Sequence, residues 1–544
     1  MAVINLLSFR GQRPKIAPRL LSPEFATIAQ DCEYPIGYLQ PYQSPKSTAI
    51  SIGPTVRTIY QYQEKIWLRW NSDVDVVLSP IDGDPWGRVY FTGEETTVGK
   101  LQPPQVLNNT TIPNSGDPFA ANTLGVPAGS SQIVGQVIDP IPLPSVDNKD
   151  DDETRFYIYT FVTDQGEEGA PSPASNQLEI KYPSSSVVLT IPAPVNLTGN
   201  ITKRRIYRSA SGGNQADWYL VAEIKTSQLS FTDTLTDSQL GQSLLSDNYE
   251  MPNKEMINLT LMPNGILAGS WGNNVAFCEP FLPHAWPSEY RLTTEHDIVA
   301  MAAVSNVLVV GTKGYPEIFQ GVSPDSMSGR KLDSMQACVS KRSMLNVDNL
   351  VIYASPMGLV GFTGQDVALL TKDIISTDFW TSIKPESIEA YYYDSKYLAF
   401  YGTKLDKAFI FDPSVGDLTF FNVGTNFGYT NLRTNTFYMR SSDGNDIAEW
   451  KKGPDIDYTW RSKEFFGLSP SFNTLYVIAE DPALVGARII VDGKVIHDYQ
   501  PKIFKNKPIR IPPKRGEIWQ IEFYGTGTIK QACLATSVSE VWRA

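Results

Sequence analysis

Short runs of β-branched and aromatic residues, bounded by Gly, Asn, Asp and Pro, recur along the whole sequence. Apolar positions at the 3.6-residue spacing of an amphipathic helix are sparse. Typical runs are residues 65–70 (KIWLRW), 88–91 (RVYF), 307–310 (VLVV) and 397–401 (YLAFY). Each run has the length of one strand and lies close to turn-forming residues. The pattern predicts a mostly β protein.

A loose repeat begins in the middle of the chain. Each unit has an apolar strand, a turn with Gly or Asn, and a second strand that ends near an aromatic residue. The units are spaced 41, 48, 45 and 40 residues apart and begin at Ile257, Ile298, Asn346, Tyr391 and Asn431. A period of about 40–50 residues with several strands per unit is typical of a β-propeller, whose blades bury their faces by stacking around an axis. Residues 58–91 have the same texture, so we predict about six blades, with the N-terminal blade closing the ring.

The rest of the chain divides around this propeller. One segment is rich in Pro, Gly, Asn and Ser and predicts a loop or linker. Another has strand signals at regular spacing and no Cys pair, which favours an inserted fibronectin III-like sandwich. The predicted division is 1–100 for the N-terminal segment and first blade, 101–154 for the loop or linker, 155–246 for the sandwich, 247–452 for the remaining blades and 453–544 for a C-terminal β domain with a hairpin at Asp492 and Gly493.

The charge balance narrows the function classes. The chain has 46 Lys and Arg against 58 Asp and Glu, a net charge of −12. A protein that coats nucleic acid by neutralising phosphates needs a basic surface, so that class is excluded. Aromatic residues make up 11% of the chain, enough for a substantial core. Global disorder is therefore excluded as well.

Cysteine spacing and hydropathy bear on the compartment. The four cysteines lie far apart at positions 32, 278, 338 and 533, without a CxxC pair. We therefore expect free thiols in a reducing compartment. The N-terminus has no basic segment before its short apolar run, and no apolar stretch approaches the roughly 18 residues of a spanning helix. We expect neither a signal peptide nor membrane insertion.

Candidate metal ligands and nucleophiles have no supporting motif. Cys278, His284 and His296 are the nearest approach to a metal cluster, but their spacing matches no zinc site. Ser323 and Ser355 lie in turn-like sequences, and no GxSxG elbow is present. Structural roles are favoured for all five residues.

Carboxylates deserve the same test because propellers include glycosidases. The candidates lie between predicted strands, where loop capping explains them: Glu279, Glu289, Asp297 and Asp378. Residues 441–444 (SSDG) resemble an Asp box but lack the residue between Asp and Gly. Residues 147–153 (DNKDDDE) resemble a calcium loop only in composition. Residues 203–208 (KRRIYR) mix basic and aromatic residues as nucleic-acid platforms do, but a strand with two different faces explains them better. We expect no enzyme activity, no cofactor and no metal ligand.

Several stretches carry a resemblance to a known family. They are residues 205–209 (RIYRS), 218–224 (WYLVAEI), 229–246, 261–290 (LMPNGILAGSWGNNVAFCEPFLPHAWPSEY), 309–344 (VVGTKGYPEIFQGVSPDSMSGRKLDSMQACVSKRSM) and 353–362 (YASPMGLVGF), with shorter matches at 8–21, 124–129 and 459–466. Together they resemble the tail nozzle proteins of short-tailed bacteriophages, the tail tubular protein B-like family. The stretch 309–344 is the most specific.

The resemblance implies a structural role in the virion tail. Such subunits form a hexameric ring below the portal and its adaptor (tail tubular A-like) ring, conduct DNA into the host, and contact tail fibres or spikes. It implies assembly in the host cytoplasm and transfers no catalytic residue. Six copies at −12 each carry −72, so we expect an acidic to neutral lumen that does not bind the passing DNA.

One alternative from another class stays open. A propeller on a phage tail can also be a glycan-active enzyme or a carbohydrate-binding protein. An enzyme needs two carboxylates or a metal that converge in a cleft, whereas a ring subunit needs complementary lateral faces.

Overall fold

The computed structural model describes residues 3–96, 99–113, 119–140, 153–180, 185–195, 197, 199–209, 217–466 and 471–541. Strands dominate these ranges, as the sequence predicts. In them the α-helices are Thr377–Ser382 and Val538–Val541. Short 3-10 turns lie at Pro18–Leu20, Asp237–Gln239, Pro263–Gly265, Ser288–Tyr290, Pro324–Ser326, Lys341–Ser343, Pro385–Ser387 and Pro482–Leu484.

The protein is a β-propeller platform with an inserted sandwich and a further β domain. Within the described residues the propeller has six four-stranded units and one two-stranded hairpin. Blade 1 is Asp75–Leu78, Val89–Thr92, Gln105–Leu107 and Asn122–Thr123; blade 2 is Ile257–Leu261, Leu267–Trp271, Asn274–Phe277 and Arg291–Thr293; blade 3 is Ile298–Val304, Val307–Thr312, Glu317–Gln320 and Ser328–Lys331. Blade 4 is Leu345–Val347, Leu350–Ser355, Gly358–Phe362 and Val367–Leu369; blade 5 is Glu389–Tyr393, Lys396–Tyr401, Lys407–Asp412 and Asp417–Phe421; blade 6 is Gly428–Asn431, Thr436–Arg440, Asp446–Glu449 and Lys46–Ser51.

The N-terminal part of the chain closes this ring, as predicted, but residues 58–91 are not a single blade: they form the closing hairpin and the first two strands of blade 1. Lys46–Ser51 is the outermost strand of blade 6 and pairs with Asp446–Glu449. The closing hairpin, Thr58–Gln63 and Ile66–Trp70, follows it. The Trp67 ring packs edge-on against Tyr438 of blade 6, with ring centroids 4.9 Å apart. On the other side, the carboxylate of Asp75 in blade 1 accepts a hydrogen bond of 2.9 Å from the backbone of Asn258 in blade 2.

The inserted sandwich lies between blades 1 and 2. One sheet consists of Val134–Ile138, Ser186–Thr190 and Ser230–Asp233, the other of Tyr157–Thr163, Ile201–Ser209 and Trp218–Lys225, with a short pair at Glu153–Arg155 and Leu178–Ile180. Alternating side chains of the two sheets form its core, including Tyr157, Val187 and Ile206. This is the period-2 pattern that half-buried strands require.

A chain-end domain is built from both termini. One sheet has Val3–Leu6, Ile529–Ala535, Thr474–Ala479 and Ile509–Arg510 in that order. The other has Phe25–Gln30, Tyr458–Ser462, Ile518–Gly525, Val485–Val491 and Lys494–Tyr499 in that order, with Arg10–Gln12 and Phe465–Phe466 paired at its margins. A short pair, Cys32–Glu33 and Gln40–Pro41, leads from this domain to the propeller, and Glu95–Thr96 with Lys100–Leu101 forms another short pair beside blade 1. Phe9 is fully buried and packs edge-on against Trp460 at 4.9 Å.

The chain-end domain and blade 5 share one continuous sheet. Phe25–Gln30 lies between the outer strand of blade 5 and Tyr458–Ser462, with Gln30 opposite Phe420. Asp31 extends the connection, because its carboxylate accepts hydrogen bonds from the backbone and side chain of Asn422 at 2.9 and 3.0 Å. Backbone pairing therefore fixes the domain to the propeller.

The boundaries differ from the predicted ones. Residues 101–154 are not only a loop or linker, because they hold two strands of blade 1 and the first sandwich strand, Val134–Ile138. The 453–544 domain is incomplete without residues 3–30. In residues 101–154 the strands are very short and lie between Pro and Asn residues, so they have no clear local pattern. In the 453–544 domain the partner strands lie hundreds of residues away, so no local pattern indicates the pairing. Residues 147–152 of the calcium-like segment lie outside the described residues.

The predicted hairpin at Asp492 and Gly493 is confirmed. Both residues have positive φ, 50° and 77°, as a two-residue turn between antiparallel strands requires. All four cysteines are free and buried. No helix in the described ranges has both the length and the hydropathy that a membrane crossing needs.

Candidate functional site

The closing hairpin, the inner strands of blades 1, 2, 3, 5 and 6, and the residues just before blade 4 line an axial cavity of about 320 Å³. Tyr60, Tyr391 and Tyr429 contribute aromatic surface to its wall, and Asn258 and Thr260 contribute polar surface. Burial raises the pKa of the Tyr391 phenol strongly, so this group stays neutral. The wall therefore combines aromatic and polar surface with the charged side chains of Asp75, Lys341 and Arg342.

An axial ion-pair cluster lies at this cavity and in the adjoining space. Its members are Arg57, Asp73, Asp75, Lys341, Arg342 and Glu389. Lys341 Nζ lies 2.8 Å from an Asp75 carboxylate oxygen, and Arg342 Nη1 lies 3.1 Å from the other. Arg342 also pairs with Asp73. Arg57 Nη2 lies 2.7 Å from Glu389 Oε1.

The cluster ties the N-terminal units to blades 4 and 5. Burial opposes ionisation of Asp73, but the charges of Arg342 and Lys341 outweigh it and lower the pKa of this carboxyl. Three cations face three carboxylates, so the cluster is neutral and its groups already have partners. The cluster therefore holds the propeller ring closed, and a ligand would have to displace an existing ion pair in order to bind.

A larger opening, the junction cleft, lies between blade 5 and the chain-end domain. Its volume is about 490 Å³, and it adjoins a second cavity of about 540 Å³ that shares Asp394, Lys396 and Asp412 with it. Tyrosines and charged residues line the cleft: Arg10, Glu33, Tyr34, Tyr42, Tyr393, Asp417 and Lys451. Val415 of the lining is 49% exposed, and Leu7 (64%) and Ile36 (70%), the chain neighbours of the lining residues Ser8 and Pro35, are exposed as well.

The carboxylates of the cleft are largely paired. Arg10 Nη2 lies 2.9 Å from Asp417, and Lys451 Nζ lies 2.5 Å from Glu33. Burial outweighs the effect of Arg10 and raises the pKa of Asp417. A hydrogen bond from Lys396 lowers the pKa of Asp394. Glu33 and Asp417 are thus paired with cations, as the carboxylates of the axial cluster are.

The inserted sandwich meets the propeller at a buried polar contact. Arg88 of the propeller lies 2.7 Å from Asp84 and 2.7 Å from Glu167 of the sandwich. His284 Nδ1 lies 3.9 Å from the same Glu167 carboxylate. Burial, aided by the charge of Arg88, lowers the pKa of His284 to about 4. Burial also raises the pKa of Glu167.

We predict that His284 makes this contact sensitive to acid. The folded protein keeps His284 neutral down to pH about 4, whereas the unfolded chain binds a proton near pH 6.5. Stability from this residue is therefore lost as the pH falls from 6.5 towards 4, by about 3 kcal/mol in total. The stability of the wild type minus that of His284→Gln should fall by this amount between pH 7.5 and 4, measured by denaturant unfolding.

His296→Gln is the matched control, because His296 keeps contact with water and stacks on Tyr315. Groups common to both proteins cancel in the difference. A wild-type advantage that stays constant over this pH range would contradict the prediction.

No protein-family model matches this chain, and no curated protein is a detectable relative. Several solved structures are similar over part of it. The RRP9 WD40 repeats have 8% identity, with 75% of this chain and 99% of that chain covered and a TM-score of 0.29. BamB from Moraxella catarrhalis has 11% identity, coverage of 62% and 97%, and a TM-score of 0.25. Kluyvelomyces marxianus Hsv2 has 9% identity, coverage of 58% and 95%, and a TM-score of 0.25. The propeller assignment therefore rests on the sheets themselves.

The candidate metal ligands have separate surroundings. Cys278 is buried, and its sulfur accepts a hydrogen bond from the backbone of Leu267. His284 lies at the sandwich contact and His296 beside Tyr315. Across the ranges that the structure describes, no three His, Cys, Asp or Glu side chains are placed to hold a metal ion.

The candidate serines have local structural partners. Ser355 is buried in a blade 4 strand and donates to the carbonyl of Gly358 at 3.0 Å. Ser323 caps the turn Pro324–Ser326. Asp443 accepts from Ser441 at 2.5 Å inside a hairpin of blade 6. These contacts stabilise turns and strands.

The candidate carboxylates are also engaged locally. Glu289 accepts from Asn248 at 2.7 Å, and Asp297 lies 2.9 Å from Lys313. Asp378 lies in the first turn of the helix Thr377–Ser382, where its charge favours the helix dipole. Glu279 accepts a hydrogen bond from Tyr290. Burial is the larger cause and this hydrogen bond the smaller cause of the raised pKa of the Tyr290 phenol.

The basic strand 203–208 has the two faces that its sequence predicts. Arg204 and Arg208 are fully buried on one face. On the other, Lys203 and Arg205 pair with Glu223, and Arg205 also pairs with Glu168. The strand is part of the sandwich core rather than a platform for nucleic acid.

Neither the axial cluster nor the junction cleft can be recognised from motifs or residue spacing in the sequence. The axial cluster corresponds in the sequence only to two short, common patterns, a DxD at positions 73–75 and a KR pair at 341–342. Only the closed ring brings these positions together.

Proposed function

We propose that this chain is a structural subunit of the tail nozzle of a short-tailed bacteriophage. Six copies form a ring below the adaptor ring, contact tail fibres or spikes, and conduct DNA during ejection. The chain functions in the virion tail and assembles in the host cytoplasm. The observation that carries the proposal is the resemblance of residues 309–344 to that family.

Residues 309–344 occupy positions that hold the propeller together, which supports the proposal. This stretch contributes strands to blade 3 and then supplies Lys341 and Arg342, the cations that pair with Asp73 and Asp75. The resembling residues therefore include those that hold the N-terminal units in the ring. A resemblance at architectural positions fits a shared architecture better than it fits a shared reaction.

The sheet that joins blade 5 to the chain-end domain also supports the proposal. A tube wall must keep its shape while charged polymer passes through it. Backbone hydrogen bonds across this junction, with Asp31 clamped on Asn422, fix the two parts together.

The acidic balance supports a conduit as well. Each cation that binds a phosphate adds an attraction that slows sliding. A ring of −72 in total repels the rod-like DNA, so we propose an acidic to neutral lumen.

We predict that tail particles hold six copies of this chain in one closed ring. A heterologous interface that closes produces such a ring. Electron microscopy of tails, with mass measurement of the purified assembly, gives the copy number and the lumen charge. One or three copies per virion, or a continuous Lys and Arg stripe along the channel, would contradict the proposal. Polysaccharide turnover by the pure protein that a single carboxylate substitution abolishes would favour the glycan-active alternative instead.

A further inference from the structure

A strongly basic segment stands out in this acidic protein. The basic loop, residues 501–516, contains six cations and no carboxylate; they are Lys502, Lys505, Lys507, Arg510, Lys514 and Arg515. All six are exposed. Nearby ion pairs are made by Arg461, Arg488 and Lys530, and none of the six joins an ion pair within the described residues. Because the chain totals −12, the remainder carries −18.

The backbone of the loop is held in place. The Phe504 ring is 1% exposed and belongs to the core of the chain-end domain. The Asn506 side chain bonds both the backbone N–H and the carbonyl of Ala479 at 2.9 Å, as a paired strand would. The Lys502 N–H donates to the carbonyl of Ala483 at 2.8 Å. A fixed loop loses little conformational entropy when a partner binds it.

Edge protection explains only part of this charge. The loop follows the edge strand Lys494–Tyr499 of one sheet and itself contains the edge strand Ile509–Arg510 of the other. Lysine and proline at such edges prevent aggregation. Lys502, Lys505 and Lys507 lie outside both strands, however, and Ile503 beside them is 44% exposed. The loop therefore presents an apolar side chain flanked by cations.

The junction cleft offers complementary chemistry. In the second cavity, which adjoins the cleft, Asp348 accepts a hydrogen bond from Tyr392 and Asp412 accepts one from Ser414. Neither carboxylate has a cation partner among the described residues. The exposed Val415 lines the cleft, and the exposed Leu7 and Ile36 adjoin its lining residues Ser8 and Pro35 in the chain. An apolar side chain between lysines fits an opening with an apolar rim and free carboxylates.

In strand order, the loop and the cleft lie at opposite edges of both sheets of the chain-end domain. In the sheet that begins with Val3–Leu6, the loop contains the strand at the other edge, Ile509–Arg510. Three strand spacings, about 14 Å along the sheet, separate the two edge strands. In the other sheet the loop lies five spacings, or about 24 Å, from the outer strand of blade 5. Because the loop is fixed at its own edges, a head-to-tail contact between copies brings the two surfaces together, and such contacts generate rings.

We propose that the basic loop of one copy docks on the junction cleft of a second copy. This inference rests on the proposed ring and names the surfaces that build it. Nucleic acid is the less favoured partner, because the one aromatic residue of the loop, Phe504, is buried and offers no stacking surface. The −18 carried by the rest of the chain also repels phosphate.

Charge reversal tests the docking. The variant Lys502→Glu/Lys505→Glu/Lys507→Glu should weaken self-association of the full chain roughly 100-fold or more at low salt. Asp348→Lys/Asp412→Lys should weaken it similarly, and mixing the two variants should restore it to within about tenfold of wild type. Lys65→Glu/Lys225→Glu/Lys254→Glu is the matched control, because these lysines are exposed and without an ion pair in the described residues. Sedimentation and native mass spectrometry provide the readout.

Each other outcome overturns the docking in a recognisable way. A loop variant that forms the ring as well as wild type contradicts the docking and leaves the nozzle proposal standing. A wild type that does not self-associate contradicts the docking, whereas the nozzle proposal is decided by the copy number in tail particles. Failure of the mixed variants to associate shows that loop and cleft are not partners. Binding of labelled duplex DNA by wild type, lost in the loop variant, assigns the loop to nucleic acid instead.

Discussion

A chain that lacks residues 1–92 is expected to aggregate rather than fold. The deletion removes the outer strand of blade 6, the closing hairpin and two strands of blade 1. It also removes Phe25–Gln30, the strand that joins blade 5 to Tyr458–Ser462. Unpaired strand edges and apolar faces in three places recruit other chains. Soluble yield and size-exclusion chromatography with light scattering provide the measurement.

Excision of the inserted sandwich is the matched control. The two ends of the insertion meet, since a Cβ added at Gly125 would lie 3.1 Å from Met251 Cα. Replacing residues 126–250 by a short Gly-Ser linker should therefore leave a soluble propeller, although more residues are removed than in the N-terminal deletion. The excision exposes the polar groups of Arg88 and His284 rather than a sheet edge. A soluble, monodisperse 93–544 fragment or an aggregating excision variant would contradict ring closure by the N-terminal units.

The propeller was predictable because its signal is local and repeated. Each unit contains a strand, a tight turn and a second strand within about 20 residues, as at Ile298–Val304 and Val307–Thr312. The turn residues carry this signal, since Asp348, Asn349 and Asp394 adopt the positive φ that short hairpins need. The inserted sandwich was recognisable for the same reason.

The chain-end domain was only half predictable. Val3–Leu6 is four residues long, and its partner strand begins more than 500 residues later. A strand this short has no periodicity of its own, so only tertiary packing against residues such as Leu475 and Leu534 selects it. The first sandwich strand, Val134–Ile138, contains Gly and Gln and follows a Pro-rich stretch, which hid it in a predicted loop.

Candidate sites were harder to predict than the fold. Asp73 and Arg342 become partners only when the first and fourth blades close around the axis. His284, a candidate metal ligand by sequence, is buried at the contact with the inserted sandwich, where its Nδ1 lies 3.9 Å from the Glu167 carboxylate. Sequence spacing supplies ligand sets that lie on one turn or hairpin. It does not supply contacts made by ring closure or by domain insertion.

Arg208→Met is expected to destabilise the inserted sandwich by about 3–5 kcal/mol. Arg208 and Asp233 are both fully buried and lie 2.8 Å apart. Arg208 also reaches Asp237 at 2.6 Å, while Tyr157 donates to Asp233 at 2.7 Å. Removing the guanidinium leaves the Asp233 carboxylate buried without a cation. Hydrogen exchange of Tyr157–Thr163 and Ile201–Ser209 in the full chain measures the loss as a lower free energy of local opening.

Lys203→Met on the same strand is the matched control. Lys203 pairs with Glu223 at 2.6 Å, but its side chain is 46% exposed, so its loss should cost less than about 1 kcal/mol. The double variant Arg208→Met/Asp233→Leu should recover part of the stability, because an apolar pair replaces the buried ion pair and no lone carboxylate remains. Equal effects of the Arg208 and Lys203 substitutions would show that the buried pair does not hold the sandwich together. A double variant no better than Arg208→Met would place the cost in lost packing rather than in the stranded charge.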